Sequence, residues 1–465
     1  MKKINIIKIT IFISIIMIPI FTFNLKKNQI SEIDNRMLTD IEDIFNGQSV
    51  KVNIESYIND RIGLRTSLVN IYTKSMDVLF DEMVHPNYQY GKDGYVFSKV
   101  SENEFNPEFQ EVYADFIEKF EDYCISRGIG FLYAVEPSKE VVYTEYLPEG
   151  FNYSNENLDY FLKLLSEKNV NFTNNVDNLL KYKNEILLYD KEYDARHWNE
   201  TGAIVGISNI LEDLNFIDNR IGNFDINNYE VVESVNGKLP NSNFDINEKT
   251  IKYNLINDNS KMVNDFNAEL RLDENYHNFS YYKNDDNRNG PKILIFAGSY
   301  FNDKEKFLTN KFSELIKIHN YRNVIDYEYY INIFNPDIVL FESTEYTHMN
   351  YYFPLNGMKN KIYKKNIMEY KDLTNDDFVK VENTYFDKSK TSITNFSIPI
   401  ESQELLYAYA NINNRILDCN INKLDNQSYI EFSIMTSDLE NVNGFDLYFI
   451  SSDEKRYDNV SIYLN

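Results

Sequence analysis

The sequence predicts an α/β fold in which a mostly parallel sheet is covered by helices. Segments with strand-like and helix-like patterns alternate between residues 105 and 350, and each strand-like run is short and apolar. The predicted strands are Gly130–Val135, Glu185–Tyr189, Ile293–Phe296 and Asp337–Phe341, and the predicted helices are Pro107–Arg127, Leu158–Glu167 and Ile204–Leu214. Functional residues of such folds gather where the strands end, so the polar residues after these strands are the first candidates for a site.

The pattern changes from about Tyr370 to short alternating runs between Asn- and Asp-rich turns. The runs are Val379–Val381, Ser392–Ile400, Tyr429–Met435 and Phe445–Ile450. This pattern predicts a separate all-β module over residues 369–465, resembling a β-sandwich. A carbohydrate-binding role and a packing or interaction role are both compatible with it.

The N-terminus carries a mostly apolar segment, Ile4–Phe23, interrupted by Asn5 and Lys8. Twenty helical residues span about 30 Å, which matches the hydrocarbon core of a bilayer. No small-residue cleavage pattern follows, so residues 1–27 are predicted to be an uncleaved membrane anchor rather than a removed signal peptide. Lys26 and Lys27 flank the far end, and charge alone therefore does not orient the segment.

Composition narrows the function classes. The chain has 465 residues, 43% of them hydrophobic, and a formal net charge of -25, which disfavours nucleic acid and anionic lipid as partners. Cys124 and Cys419 are far apart, and no disulfide between them is expected. No CxxC, Cys/His cluster or HExxH pattern occurs, so neither a metal site nor a cofactor is predicted.

The stretch Asp194–Ala203 contains an acid, a histidine and the only tryptophan of the chain, Trp198. A carboxylate near His197 can accept the Nδ1–H and fix the tautomer of the ring, which is the arrangement of a general base. The structural alternative is that His197 and Trp198 are an ordinary core pair at a helix start, with Asp194 as the capping residue.

The candidate nucleophile is Ser299, which follows the Ile293–Phe296 run after Ala297 and Gly298. Residues Asn302–Ile318 have helix-like apolar spacing, so Ser299 is predicted on a strand-to-helix turn. Backbone N–H groups near Gly298 and Tyr300 would then face a developing oxyanion. The alternative role for a serine at such a position is simply that of a helix cap.

With Asp194, His197 and Ser299, the chain resembles the SGNH-hydrolase-like proteins that O-acetylate exported polysaccharides, such as the alginate acetylation proteins and the bacterial DHHW proteins. Further motifs occur in the same order as in that family, from Asn35 to Glu345. They are Asn35–Leu38, Asp60–Arg65, Gly91–Phe97, Glu136–Lys139 and Tyr146–Pro148. Each motif is weak alone, and the ordered set is more specific.

The chain also departs from the family pattern. Ala297-Gly298-Ser299 stands where the family has Gly-Asp-Ser, and the acid and histidine are separated by two residues rather than one. Tyr346 stands where the family has the arginine of a Glu-Arg pair, so the role of that arginine is not carried over to this chain. Lys139 is compatible with a structural or a substrate-side role. His85, His277, His319 and His348 have no partner at a recognisable spacing.

The resemblance implies an SGNH-like catalytic domain over residues 98–368, with an insertion at about 218–289, preceded by a helical connector over residues 28–97. It also implies that an acetyl-serine on Ser299 is resolved by a polysaccharide hydroxyl outside the cytoplasm. The catalytic residues would be Ser299, His197 and Asp194. Residues assigned to the oxyanion or the substrate are Gly298, Tyr300, Trp198, Lys139 and Tyr346.

A separate membrane-bound O-acyltransferase would supply the acetyl group, since no multi-spanning segment occurs in this chain. Two other functions remain open at this level. A polysaccharide acetylesterase would use the same three residues with water as acceptor. A non-catalytic scaffold or glycan-binding protein of a surface-polysaccharide assembly would keep the fold while the catalytic residues drifted.

Overall fold

A computed structural model describes residues 2–27, 37–45, 50–99, 104–240, 242, 244–264, 266, 269–370, 373–374, 379–381, 385–386, 391–402, 405–424 and 427–464. Asn35 and Arg36 of the first family-like motif lie outside these residues. The N-terminal region contains α1 (Lys2–Phe21), α2 (Val50–Arg61), α3 (Arg65–Phe80), β1 (Tyr88–Tyr90) and β2 (Val96–Ser98). Residues Ile4–Phe21 of α1 have a mean hydropathy of 2.3 and none of this stretch is buried, so α1 is long and apolar enough to cross a membrane or to serve as a signal sequence.

The central domain alternates helices and strands. Its first half contains α4 (Pro107–Ser126), β3 (Gly130–Glu136), α5 (Lys139–Val142), α6 (Glu156–Glu167), β4 (Phe172–Asn174), α7 (Asn175–Tyr182) and α8 (Glu200–Ile217). Its second half contains β5 (Tyr229–Lys238), β6 (Asp245–Leu255), β7 (Ser260–Met262), β8 (Phe279–Asn284), β9 (Lys292–Ala297), β10 (Glu314–His319), α9 (Tyr327–Phe334), β11 (Ile338–Thr344) and α10 (Leu355–Lys359).

Seven of these strands form one sheet in the order β4-β3-β11-β9-β10-β8-β7. The five strands from β4 to β10 run parallel, while β8 and β7 add to the edge in antiparallel pairing. The α/β prediction is confirmed. Because side chains alternate across a strand, Ile293 and Ile295 of β9 pack in one core with α8, and Leu294 and Phe296 pack in the other with α4 and α9.

Two predicted elements are wrong. Residues 302–318 form no long helix: 3-10 turns at Ser299–Phe301 and Glu305–Phe307 lead directly into strand β10. Leu315, Ile316 and Ile318 are buried there because β10 has neighbours on both sides and helices over both faces. Residues 185–189 are not a strand but an irregular segment between α7 and α8.

Only part of the insertion belongs to the seven-stranded sheet. Strands β7 and β8 extend the sheet edge, and β5 and β6 form a separate two-stranded hairpin paired from Tyr229 with Leu255 to Lys238 with Asp245. Most hairpin residues beyond its base are exposed.

The C-terminal module is built of β12 (Leu373–Thr374), β13 (Val379–Val381), β14 (Tyr385–Phe386), β15 (Ile393–Ser402), β16 (Leu405–Ile412), β17 (Arg415–Leu424), β18 (Gln427–Met435), β19 (Gly444–Ser451) and β20 (Arg456–Leu464). The five long strands after β15 pair in antiparallel order, and β17 pairs with β16 through its first half and with β18 through its second. This confirms a C-terminal antiparallel β sheet, with a core of its own around Ile398, Leu417 and Leu447.

Buried polar contacts attach this module to the central domain. The carboxylate of Asp418 on β17 accepts hydrogen bonds from the guanidinium of Arg127, at 2.9 Å and 3.2 Å, and from the Tyr123 hydroxyl. The backbone carbonyl of Asp418 accepts from Asn332 Nδ2 at 2.8 Å. Cys124 and Cys419 lie on the same elements as buried free thiols.

Candidate active site

The acid and histidine are held by a tight turn immediately before α8. Asp194 Oδ1 accepts the backbone N–H groups of Arg196 and His197, both at 3.0 Å, so the carboxylate closes the turn that carries the histidine. Asn199 then caps α8 by accepting the Gly202 N–H at 2.9 Å. A side chain at Gly202 would meet the Leu188 carbonyl oxygen at 2.2 Å, so this close approach requires glycine.

Ser299 lies 102 residues further along the chain, at the carboxyl end of β9. Its Oγ lies 2.8 Å from His197 Nε2, while His197 Nδ1 lies 3.1 Å from each carboxylate oxygen of Asp194. The carboxylate can only accept from Nδ1–H, which leaves Nε2 to accept the serine hydroxyl proton. The three residues thus form one continuous hydrogen-bonded chain at the sheet edge.

The charges around these three hydrogen-bonded residues suit His197 to act as a general base. Burial raises the pKa of Asp194, but the hydrogen bonds and charge of His197, with the Arg196 backbone, outweigh burial and lower the pKa to about 2. Asp194 is therefore ionised at any ordinary pH and stabilises a protonated imidazole. One third of each side chain, 33% for both His197 and Asp194, is exposed, so small molecules reach the site.

Gly298 was expected to offer its N–H group to the oxyanion, and the structure differs from this expectation. Its N–H donates to Glu342 Oε2 at 2.8 Å and is therefore not available to a substrate. The N–H groups of Ser299 and Tyr300 donate no hydrogen bond to any residue in the described part of the chain. They lie in the first turn after β9, directly beside the serine Oγ along the chain, and are the remaining backbone candidates.

Glu342 is completely buried at the end of β11, the strand next to β9. Burial raises the pKa of its carboxyl to about 7. Burial and then the charge of Glu342 hold the pKa of Glu136, at the end of β3, well above its usual range. Of these two acids, Glu342 contacts the serine turn directly, through the Gly298 N–H. Sequence placed Glu342 at a strand end, but nothing in its neighbours indicated a contact with the Gly298 amide.

Trp198 and Tyr300 connect the two halves of the site from inside. Trp198 Nε1 donates to the Tyr300 carbonyl at 2.9 Å, and the Tyr300 hydroxyl donates to the Arg196 carbonyl at 2.7 Å. Both side chains are at most 3% exposed. The polar atoms of both side chains therefore join the histidine turn to the serine turn, which argues against a substrate contact for Trp198 and leaves the backbone N–H of Tyr300 as the predicted oxyanion donor.

Lys139 is also buried, with no exposed surface. Its Nζ donates to the carbonyl oxygens of Val96, Lys191 and Asp194 at 2.7, 3.0 and 3.1 Å. These contacts exclude the substrate-side role and support the structural one. Burial lowers the pKa of the Lys139 ammonium to about 8.

Tyr346 remains at the site. Its ring lies under the guanidinium of Arg196, with 4.4 Å from Cζ to the ring centroid. The neighbouring Glu345 is turned inward, where its carboxylate accepts from the Ser138 N–H at 2.8 Å and the Tyr153 hydroxyl at 2.9 Å. Sequence reasoning missed Arg196, although it immediately precedes His197 and its guanidinium packs on Tyr346.

His348, considered among the histidines without a partner, is buried under the sheet edge. Its Nε2 lies 2.9 Å from Ser343 Oγ and 3.3 Å from the Tyr133 hydroxyl. Burial lowers the pKa of His348 to about 3, so the ring is neutral and serves the core.

No protein-family model and no curated protein matches the chain. Solved structures do. Bacillus cereus PatB1 is 18% identical, with a TM-score of 0.44 over 55% of this chain and 95% of its own. The O-acetyltransferase domain of Pseudomonas putida AlgJ is 15% identical, with a TM-score of 0.41 over 60% of this chain and 100% of its own. Pseudomonas aeruginosa AlgX is 11% identical, with a TM-score of 0.38 over 81% of this chain and 83% of its own.

One of the solved structures to which the chain is similar is thus an O-acetyltransferase domain. The chemistry of the site follows from the contacts within this chain.

Proposed function

We propose that the protein transfers acetyl groups to hydroxyls of an exported polysaccharide through an acetyl-serine on Ser299. One observation carries the proposal: Ser299 Oγ lies 2.8 Å from Nε2 of His197, 102 residues earlier in the chain, and His197 Nδ1 lies 3.1 Å from the Asp194 carboxylate. A serine that merely capped a turn would not need an imidazole with an ionised carboxylate behind it.

In the first step, Ser299 Oγ attacks the carbonyl carbon of an acetyl donor and its proton passes to His197 Nε2. Asp194 stabilises the imidazolium that forms. The tetrahedral intermediate collapses when the donor's leaving oxygen departs with that proton, which leaves neutral His197 and acetyl-Ser299.

In the second step, an acceptor hydroxyl attacks the acetyl-serine carbonyl and gives its proton to His197. Collapse returns the proton to Ser299 Oγ and releases the O-acetylated acceptor. In both steps the negative oxygen of the intermediate would be held by the N–H groups of Ser299 and Tyr300, which have no acceptor in the described part of the chain.

The acceptor class, the donor and the location belong to the same proposal. The motifs resemble those of proteins that acetylate exported polysaccharide, which implies a glycan acceptor. A separate membrane-bound O-acyltransferase would deliver the acetyl group. Helix α1 would anchor the protein with the catalytic domain outside the cytoplasm, consistent with its unburied apolar stretch Ile4–Phe21.

The exposure of the site also supports a second candidate function, that of an acetylesterase. One third of the His197 and Asp194 side chains is exposed, so water can reach the acetyl-serine as readily as a small hydroxyl compound. The two functions differ only in the acceptor of the second step.

The test is to incubate the protein with a chromogenic acetyl ester, with and without a neutral oligosaccharide, and to measure both acetate and acetylated sugar. We expect ester cleavage that falls by about 10³-fold or more in Ser299→Ala and His197→Ala. Ser397→Ala, an exposed serine of the C-terminal module, is the matched control and should retain wild-type activity. Acetylated sugar supports transfer, acetate alone supports the esterase, and equal rates in all variants would contradict both.

A further inference from the structure

The insertion, whose role the sequence did not indicate, contacts the segment that carries the catalytic acid. We define the acid loop as residues 190–194, which connects the irregular segment after α7 to the histidine turn. Its backbone is not part of any helix or strand. An irregular backbone must therefore be held by other groups if Asp194 is to stay beside His197.

On one side, the ammonium of Lys139 holds the carbonyl oxygens of this loop. Nζ donates to Lys191 and Asp194 at 3.0 and 3.1 Å, and also to Val96 of β2 at 2.7 Å. An ammonium has three N–H donors, and all three are used here. Lys139 is fully buried, so these bonds do not compete with water.

The carboxylate of Glu248 instead accepts backbone N–H groups of the same loop. Its oxygens bind the amides of Lys191, of Glu192 at 2.8 Å and of Tyr193 at 2.6 Å. Glu248 belongs to β6 of the hairpin, where it pairs with Asn236 across the strands. Bonds to an ionised acceptor are about twice as strong as neutral ones.

The hairpin also contacts the other two parts of the site. The Tyr253 N–H donates to Glu200 Oε2 at 2.7 Å, at the first residue of α8. Lys306, which follows the serine turn, donates to the same carboxylate at 2.8 Å, and its carbonyl accepts from the Tyr229 hydroxyl at 3.2 Å. The hairpin thus touches the acid loop, the histidine helix and the segment after the serine.

We infer that Lys139 and Glu248 are positioning residues that hold the acid loop from its carbonyl side and its N–H side, and that the β5–β6 hairpin is a brace for the catalytic site. The inference rests on the proposed function only in that the braced residues are taken to be catalytic. Neither residue touches Ser299 or His197, and both act through Asp194.

The first test compares Lys139→Met, Glu248→Ala and Glu248→Gln with Glu233→Gln. Glu233 lies on the same hairpin but faces away from the loop, and its side chain is 73% exposed, so it is a matched control. Phenylmethylsulfonyl fluoride reports serine reactivity, with the adduct mapped to Ser299 by peptide mass. We expect Lys139→Met and Glu248→Ala to slow labelling by about 10- to 100-fold, Glu248→Gln to slow it less, and Glu233→Gln to leave it unchanged.

The second readout is the downfield proton resonance of His197 Nδ1–H, assigned by its loss in His197→Ala. The brace predicts that this resonance weakens or vanishes in Lys139→Met and Glu248→Ala, at temperatures where circular dichroism shows both variants folded. If Ser299 of the wild type is not labelled, but the His197 resonance is present in the wild type and lost in the variants, the proposed function is contradicted and the brace is supported. If the wild type is labelled, and Lys139→Met and Glu248→Ala show the same labelling rate and the same His197 resonance as the wild type, the brace is overturned.

A pH profile separates positioning from general stability, and Lys139→Arg serves as the conservative variant. Since burial lowers the pKa of Lys139 to about 8, labelling should decline above that pH as the ammonium loses its proton. Arginine stays charged, so Lys139→Arg should shift the decline to higher pH, and an unshifted decline would contradict the role of the ammonium. The charged and titratable groups that face Lys139 are Asp190, Asp194, Glu140, Glu248 and Tyr95. The ammonium of Lys191 also lies 5.7 Å from the centroid of the Tyr95 ring.

Discussion

Two aspartates of this protein bind a basic partner over very different sequence separations: Asp194 binds a histidine 3 residues away, and Asp418 binds an arginine 291 residues away. Asp194 binds an imidazole and has a side chain that is one third exposed. Asp418 binds a guanidinium and a tyrosine hydroxyl between the central domain and the C-terminal module, and its side chain is 2% exposed. The partner determines the difference, because an imidazole gains and loses a proton near neutral pH and a guanidinium does not.

Asp194 is thus placed for proton transfer, and Asp418 is placed to attach one domain to the other. A carboxylate paired with a histidine that also contacts a serine can support proton transfer, provided solvent and substrate reach it. A carboxylate paired with a permanent cation in a dry interface can only hold its two domains together. The same substitution at both positions, Asp to Asn, should therefore give opposite patterns of activity and stability.

Asp194→Asn has the largest expected effect on rate. The amide cannot stabilise the imidazolium and favours the wrong ring tautomer, so ester cleavage should fall by about 10³-fold. Stability should change little. The lowered pKa of Asp194 adds stability above its usual pKa, which is lost as the pH falls through about 2, and exposure of the group reduces this to about 1 kcal/mol at pH 7. Stopped-flow cleavage and urea unfolding of the same preparation measure both effects.

Asp418→Asn should give the reverse pattern. Loss of the charge leaves Arg127 buried against a neutral amide, which should lower the free energy of unfolding by about 3 kcal/mol. Serine labelling should stay within about twofold of wild type, since the residue does not contact the site. Urea unfolding followed by circular dichroism measures the change in unfolding free energy. A large loss of serine labelling in a folded Asp418→Asn protein would contradict a role of Asp418 in domain attachment alone.

Glu342→Gln tests the buried acid behind the serine turn through its pH dependence. The pKa of Glu342 is raised to about 7, so the folded protein binds a proton between pH 5 and pH 7 that the unfolded chain has released. Wild-type stability therefore falls as the pH rises through this window, while a glutamine does not titrate. On going from pH 5 to pH 8, the stability of Glu342→Gln relative to wild type should improve by about 2–3 kcal/mol. A constant difference in urea unfolding at the two pH values would contradict an acid kept neutral by burial.

Trp198→Phe has the smallest expected effect. It removes the 2.9 Å hydrogen bond to the Tyr300 carbonyl but retains the aromatic packing against Tyr300, whose ring centroid lies 5.2 Å away. The cost should be about 1 kcal/mol in unfolding free energy. Thermal unfolding can resolve this. A complete loss of ester cleavage in the folded variant would indicate that Trp198 touches the substrate after all.

The sequence predicted those parts of the molecule whose signals are local. Strands β3, β9 and β11 are short apolar runs, and helix α8 follows an asparagine cap, so their neighbours along the chain are sufficient to identify them. His197 was predicted because the chain has only 5 histidines, and Asp194 and Ser299 were predicted because their surroundings match a family pattern. The distances that link them required the fold.

The errors arose where tertiary contacts override local spacing. Leu315 and Ile316 fit a helical stripe, but the sheet places them on a strand whose two faces are both covered. The contacts of Glu342, Lys139 and Glu248 could not be predicted because each side chain binds backbone groups that are 43 to 57 residues away. A carboxylate that accepts backbone amides has no signature of its own in the sequence.

The most direct test of Ser299 as the nucleophile is the intact mass of the protein after brief exposure to an acetyl ester, followed by peptide mapping. We expect one added acetyl group on the peptide that contains Ser299. It should be present in wild type and Asp418→Asn, strongly reduced in Asp194→Asn and absent in Ser299→Ala. An acetyl group on another residue, or equal acetylation of wild type and Ser299→Ala, would contradict the assignment of Ser299 as the nucleophile.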